Sequence, residues 1–274
     1  MRSLGIIVAA LFLCSLASPQ ALAKGKAAKP TAKAAAKTAA KAAPREIPQS
    51  VIQAIAAGDL SSAVIALREE PPSPKNNYLI RIATSVVLSQ IGDKPNLSEE
   101  HQHHQNLGIA FHNLFLFLKA RGITNEEYAD QALKNYKKAR RAGTVLHKAE
   151  CDLLTAALHA SMGDREKARK LFDKIDKFML RSDFESAEYL ATYYAAMGDA
   201  GKASEAIRSA YEMNPNTTLV WLEVGDDFHD IESDPAYKEM LSSLSKERKD
   251  KELTLSVPES SDPRLQIENR KPAK

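Results

Sequence analysis

Four of the seven histidines fall in one stretch, EEHQHHQNLGIAFHN, as His101, His103, His104 and His112. Residues three and four apart share a helix face, so Glu100, His101 and His104 would offer a carboxylate and two imidazoles on one side, a donor set that suits a divalent metal. His103 projects elsewhere, and no second ligand pair accompanies them. A metal needs ligands that converge. The stretch is therefore expected to be the polar start of a long helix, with a pH-responsive patch as the other use for it. A second concentration, DDFHDIESD, supplies Asp226, Asp227, His229, Asp230, Glu232 and Asp234. It lacks the glycine and the alternating oxygens of a calcium loop, so turn and helix-cap chemistry is expected there.

Covalent chemistry finds little support. Cys151 sits in HKAECDLLTAAL, an apolar helical setting that favours an inert buried thiol over a nucleophile. The chain has no Gly-x-Ser-x-Gly elbow, no His-Glu-x-x-His and no phosphate loop. A non-catalytic protein without cofactor or metal is the expectation.

What the elements must position is therefore a surface. From Pro48 onward, 3.6-residue periodicity predicts helices near 49–57, 60–70, 77–91, 98–121, 126–142, 144–162, 165–178, 183–197, 200–213, 217–224 and 234–245, without a convincing strand. Gly58-Asp59, Gly92-Asp93, Gly163-Asp164 and Gly198-Asp199 punctuate them. Glycine can close one helix and aspartate can cap the next, so these two-residue joints predict antiparallel hairpins. The fold class expected is all-α.

The second helices of the hairpins share a phrase: a small residue, a larger apolar one four on, and a small or apolar one three further. Ala132, Tyr136 and Ala139, then Ala168, Phe172 and Ile175, then Ala203, Ile207 and Ala210 follow it, while Ala63 and Leu67 form a weaker copy that ends in Glu70. Gly163 to Gly198 and Ala168 to Ala203 both span 35 residues, close to the period of about 34 that marks tetratricopeptide arrays. Small residues at such intervals let helix backbones approach while the larger ones fill the gaps.

Residues 149–217 resemble two tetratricopeptide repeats. The clearer one carries Leu190, Ala191, Tyr194, Gly198, Ala203, Ile207, Ala210 and Pro215, with Ala187 where a large residue is usual. The one before keeps Ala156, Gly163, Ala168 and Phe172 but has His159 at the aromatic position. Residues 218–245 resemble the unit that closes such arrays, through Trp221, Leu222, Phe228, Ile231, Asp234-Pro235, Tyr237 and Leu241. An array needs such a unit because its last apolar face is otherwise bare. The resemblance implies a helical solenoid over 48–245 whose concave groove is lined by first helices. By position those residues would be Glu150, Leu153 and Ala157, then Glu185, Glu188, Thr192 and Ala195, an acidic set suited to a basic or extended peptide.

The ends differ from this body. MRSLGIIVAALFLCSLASPQALA is patterned as a secretory signal peptide, residues 1–23, with cleavage expected after Ala23. Residues 24–47 are a linker of Ala, Lys, Thr and Pro, and residues 246–274 a polar tail, both expected to be disordered. The formal charge of +3 combines +7 from Lys24 to Arg45, +1 from Arg2 and −5 from the rest. The basic segment is a spacer or a means of adhering to an anionic envelope surface; nucleic acid is not an expected partner, because export removes the chain from the genome. After cleavage Cys151 is the only thiol, so no internal disulfide can form. The function expected is a periplasmic or secreted scaffold or adaptor for a protein or peptide in the bacterial cell envelope. Its alternative is a structural envelope protein tethered to anionic polymer or lipid through the Lys-rich segment.

Overall fold

The computed structural model describes residues 46–91, 99–175, 180 and 183–250. Among them the chain is all-helical, with no strand, and no helix is long and apolar enough to cross a membrane. The signal peptide, the basic linker, the Gly92-Asp93 joint and nearly all of the polar tail lie outside the described residues.

Eleven α-helices and one 3₁₀ turn follow in order: α1 (Gln49–Ala56), α2 (Leu60–Glu69), α3 (Pro74–Ile91), α4 (Glu100–Lys119), α5 (Glu126–Ala142), α6 (Val145–Ser161), α7 (Arg165–Phe172), α8 (Phe184–Met197), α9 (Ala200–Met213), α10 (Pro215–Val224), the 3₁₀ turn His229–Ile231, and α11 (Pro235–Asp250). Gly-Asp joints work as their chemistry requires. Gly198 takes φ 78°, Asp199 N–H returns to the Tyr194 carbonyl, and the Asp199 carboxylate accepts from Lys202 N–H to start α9. Asp59 and Asp164 cap α2 and α7 in the same way.

Helix limits depart from the periodicity in four places. Helix α3 begins at Pro74, because Pro occupies a first-turn position without losing a bond and Ser73 Oγ accepts from Asn76 N–H. Helix α10 likewise begins at Pro215 under an Asn214 cap. Helix α7 stops at Phe172, where successive i+3 bonds at Lys174 and Ile175 tighten its end. Helix α11 runs on through the charged residues to Asp250.

Successive helices pack on one another from α1 to α7 and from α8 to α10, while α8 packs on α6 and α11 on α9; the repeated phrase supplies seams, where Ala132, Ala168 and Ala203 are fully buried, as are Tyr136, Ile207, Ala139 and Ala210. At the α4–α5 seam a Cβ on Gly108 would stand 2.6 Å from the Tyr136 ring. Only glycine permits that approach. Buried apolar residues form three clusters. One joins α1 to α5 with Leu154 and Leu158 of α6; one joins α6 to α8 around Leu153, Ala168 and Phe172; the last joins α8 to α11 around Ile207, Trp221, Phe228 and Met240.

Candidate binding site

One face of α8 carries Glu188 and Thr192 one turn apart, with Glu185 and Tyr189 beside them. Thr192 Oγ1 lies 3.1 Å from its own-turn Glu188 carbonyl and 3.2 Å from Asp227 Oδ1. Trp221 Nε1 donates to the other Asp227 oxygen at 3.2 Å. Asp227 can fold back this far because Gly225 precedes it: a Cβ there would come within 2.5 Å of Asp227 Oδ2. Thus the cap turn after α10 presses a carboxylate against α8.

From the opposite side, α3 and α4 face this turn. Lys75 donates to the Val224 carbonyl and to Asp226 Oδ2, both at 2.5 Å. Arg121 stands 3.5 Å from Asp226 Oδ1, with its guanidinium 3.7 Å from the centre of the Phe117 ring. Lys119 pairs with Asp230 at 2.6 Å. Deeper in, Gln105 donates to the Tyr189 hydroxyl at 3.4 Å, and Tyr78 of α3 feels the charges of Asp227 and Glu188.

The electrostatics of this region are acidic, and its groups are poorly solvated. Burial, then repulsion from Asp227 and Glu185, pushes the Glu188 carboxyl up to about 8. Burial also raises Asp227, against which the Trp221 and Thr192 hydrogen bonds work. The Tyr78 and Tyr189 hydroxyls rise well above their ordinary range, again by burial first. Lys75 is lowered by burial, and the Asp226 charge offsets part of that. Glu188, Tyr78 and Tyr189 are each half-buried, so they border the core and are not sealed in it. An open surface pocket of about 520 Å³ lies between Lys119, Met162, Arg165 and Asp230.

The structure sorts the seven residues expected in the groove. Glu185 is exposed, Glu188 half-buried and Thr192 buried against Asp227, all on one face of α8. Glu150 is buried on α6 within electrostatic reach of Tyr189. Leu153, Ala157 and Ala195 are a correction to the groove lining: all three are at 0% exposure in the apolar clusters. The seam between α6 and α8 consumes Leu153 and Ala157, and the cluster that joins α8 to α11 takes Ala195. Lys75, Tyr78, Gln105, Arg121 and Tyr189 carried no local signal, since each meets partners many residues distant.

The other polar concentrations disperse. His101 stacks on His147 with centroids 3.9 Å apart and its Nδ1 lies 3.0 Å from the Ala139 carbonyl. His104 meets Asn135, and His112 meets the Tyr136 hydroxyl at 3.1 Å. Among the described residues no three His, Cys, Asp or Glu side chains are placed to hold a metal ion. Burial pushes the Cys151 thiol up to about 12, which keeps it un-ionised. The DDFHDIESD stretch does cap α11 through Asp234, but Asp226, Asp227 and Asp230 reach across to α3, α4 and α8.

No family model, curated protein or solved structure matches the chain.

Proposed function

We propose that the protein is a non-catalytic, tetratricopeptide-like scaffold or adaptor, exported to the bacterial cell envelope, that holds a protein or peptide through a basic side chain inserted toward the Glu188 face of α8. The observation that carries this reading is the half-buried Glu188 carboxyl, held beside Asp227 and Glu185, with its proton affinity raised by burial first and then by their charges. A guest ammonium or guanidinium would relieve that repulsion and let Glu188 ionise. Binding would then release a proton, and affinity would rise with pH up to about 8. Signal peptide, export and repeat family rest on the residue patterns alone.

The +7 charge of Lys24 to Arg45 favours a second reading, a structural protein tethered to anionic polymer or lipid. Affinity isolation from producing cells separates the two. With residues 24–45 deleted, a scaffold keeps its partner and loses it with Glu185→Lys; a tether leaves the envelope fraction on the deletion and is indifferent to Glu185→Lys.

A further inference from the structure

Charge is segregated along the body. Residues 134–174 hold eleven Lys and Arg against five Asp and Glu, a sum of +6, whereas residues 175–250 sum to −8. Within the basic stretch, Lys134, Lys137, Lys138 and Arg141 stand three, four and seven apart, so they share one face of α5. All four are exposed, and Ala132, Tyr136 and Ala139 on the opposite face are buried in the seams. Arg140 turns aside to Asp152, but among the described residues no carboxylate pairs with the other four. The helix dipole favours cations in the last turn, which accounts for Arg140 and Arg141 and leaves Lys134, Lys137 and Lys138 unexplained. Glu127 and Asp130 hold the same face earlier in the helix, so the patch begins at Lys134.

We infer that this face of α5 is a docking surface for an anionic lipid bilayer, with Val145 entering the headgroup boundary. Val145 follows Arg141 by four residues and is 61% exposed at the start of α6. Cations ending in a bare aliphatic side chain suit the border between headgroups and acyl chains. A single-stranded nucleic acid would call for exposed rings, and Tyr136 and Phe172, the only Tyr, Phe or Trp in residues 134–174, are both buried. Helix α1 is pinned to the start of α5, where the Tyr128 hydroxyl donates to the Ile55 carbonyl at 2.6 Å and Asn125 Nδ2 to that of Ala56 at 3.2 Å. Since α1 has 8 residues, about 12 Å of helix, the chain carrying Lys24 to Arg45 enters the body close to this helix. Two basic elements on one chain reinforce each other at a common surface. The surface is separate from the Glu188 face and does not depend on what that face holds.

Co-sedimentation of the chain from Lys24 onward with vesicles of phosphatidylcholine containing about one-third phosphatidylglycerol reads the surface. Binding is expected to these vesicles and not to pure phosphatidylcholine, and it should fall away in molar salt. Lys134→Glu with Lys138→Glu should weaken partition about tenfold, with residues 24–45 present or deleted, and Val145→Asp should weaken it severalfold. Lys238→Glu with Lys246→Glu makes the same charge change at exposed sites of α11 and should cost less than about twofold. Every replaced side chain is exposed, so far-UV circular dichroism should not change. An α5 variant that binds like the native chain, an α11 variant as weak as it, or loss of all binding on deleting residues 24–45 would overturn the surface. Binding that ignores Val145→Asp, with polyphosphate stripping the chain from vesicles, would assign the face to an anionic polymer and overturn the bilayer.

Discussion

Lys75, in the first turn of α3, donates to the backbone carbonyl of Val224, 149 residues further along the chain, and to the carboxylate of Asp226 beside it. One ammonium thus satisfies the carboxyl end of α10 and a half-buried acid together. Lys75→Met leaves the carbonyl without this donor and Asp226 with Arg121 alone. Unfolding in urea should show a loss of about 1–3 kcal/mol, the usual cost of stranding a partly buried polar group. A smaller change would mean that water replaces the ammonium at no cost.

Glu188 makes stability depend on pH in a direction unusual for a carboxyl. Its affinity for the proton is raised from an ordinary 4.5 to about 8 in the folded chain. Below 4.5 both states are protonated and its contribution is fully present. As pH rises through the window to 8 the unfolded chain ionises first, so this contribution is lost. Glu188→Gln should therefore flatten the decline between pH 4.5 and 8 and leave the variant the more stable of the two above it. Urea midpoints across that range provide the check.

His112 acts oppositely. Burial, with Lys119 adding repulsion, lowers its affinity from 6.5 to about 3. The folded chain keeps it neutral while the unfolded chain takes up a proton, so stability present above 6.5 drains away as pH falls toward 3. His112→Asn keeps a polar atom for the Tyr136 hydroxyl and removes the titration. Thermal melts of the variant should lose less on acidification from pH 7 to 4 than those of the native chain.

Gly108→Ala tests the tightest seam. The added methyl would meet the fully buried Tyr136 ring at 2.6 Å, and a ring held on all sides cannot swing away. Overpacking should cost about 1–3 kcal/mol despite alanine's better helix propensity. A rise in melting temperature would show that the two helices can separate freely.

The helices were legible because their determinants are local. Apolar periodicity, the Gly-Asp joints and the alanine phrase all act within a turn or two, and Ala132, Ala168 and Ala203 are at 0% exposure in the seams. Prolines 74 and 215 misled the helix starts because their usual meaning is a break, whereas at a first turn they are tolerated. The site was legible only in part. Glu185, Glu188 and Thr192 share one helix face, but which side of a first helix meets its neighbours depends on how closely α6, α8 and α9 pack, and that packing buries Leu153, Ala157 and Ala195. Asp226 and Asp227 look like turn residues because their partners, Lys75 and Thr192, lie 151 and 35 positions away.

A photo-reactive amino acid placed at Glu185, exposed on α8, and separately at Glu205, exposed on α9, tests most directly whether the Glu188 face of α8 is where a partner is held. In irradiated producing cells, position 185 is predicted to yield one defined adduct that mass spectrometry assigns to a basic segment of its partner, abolished by Glu188→Lys, while position 205 yields none. Equal labelling from both positions, or an adduct indifferent to Glu188→Lys in a chain that still folds, would contradict it.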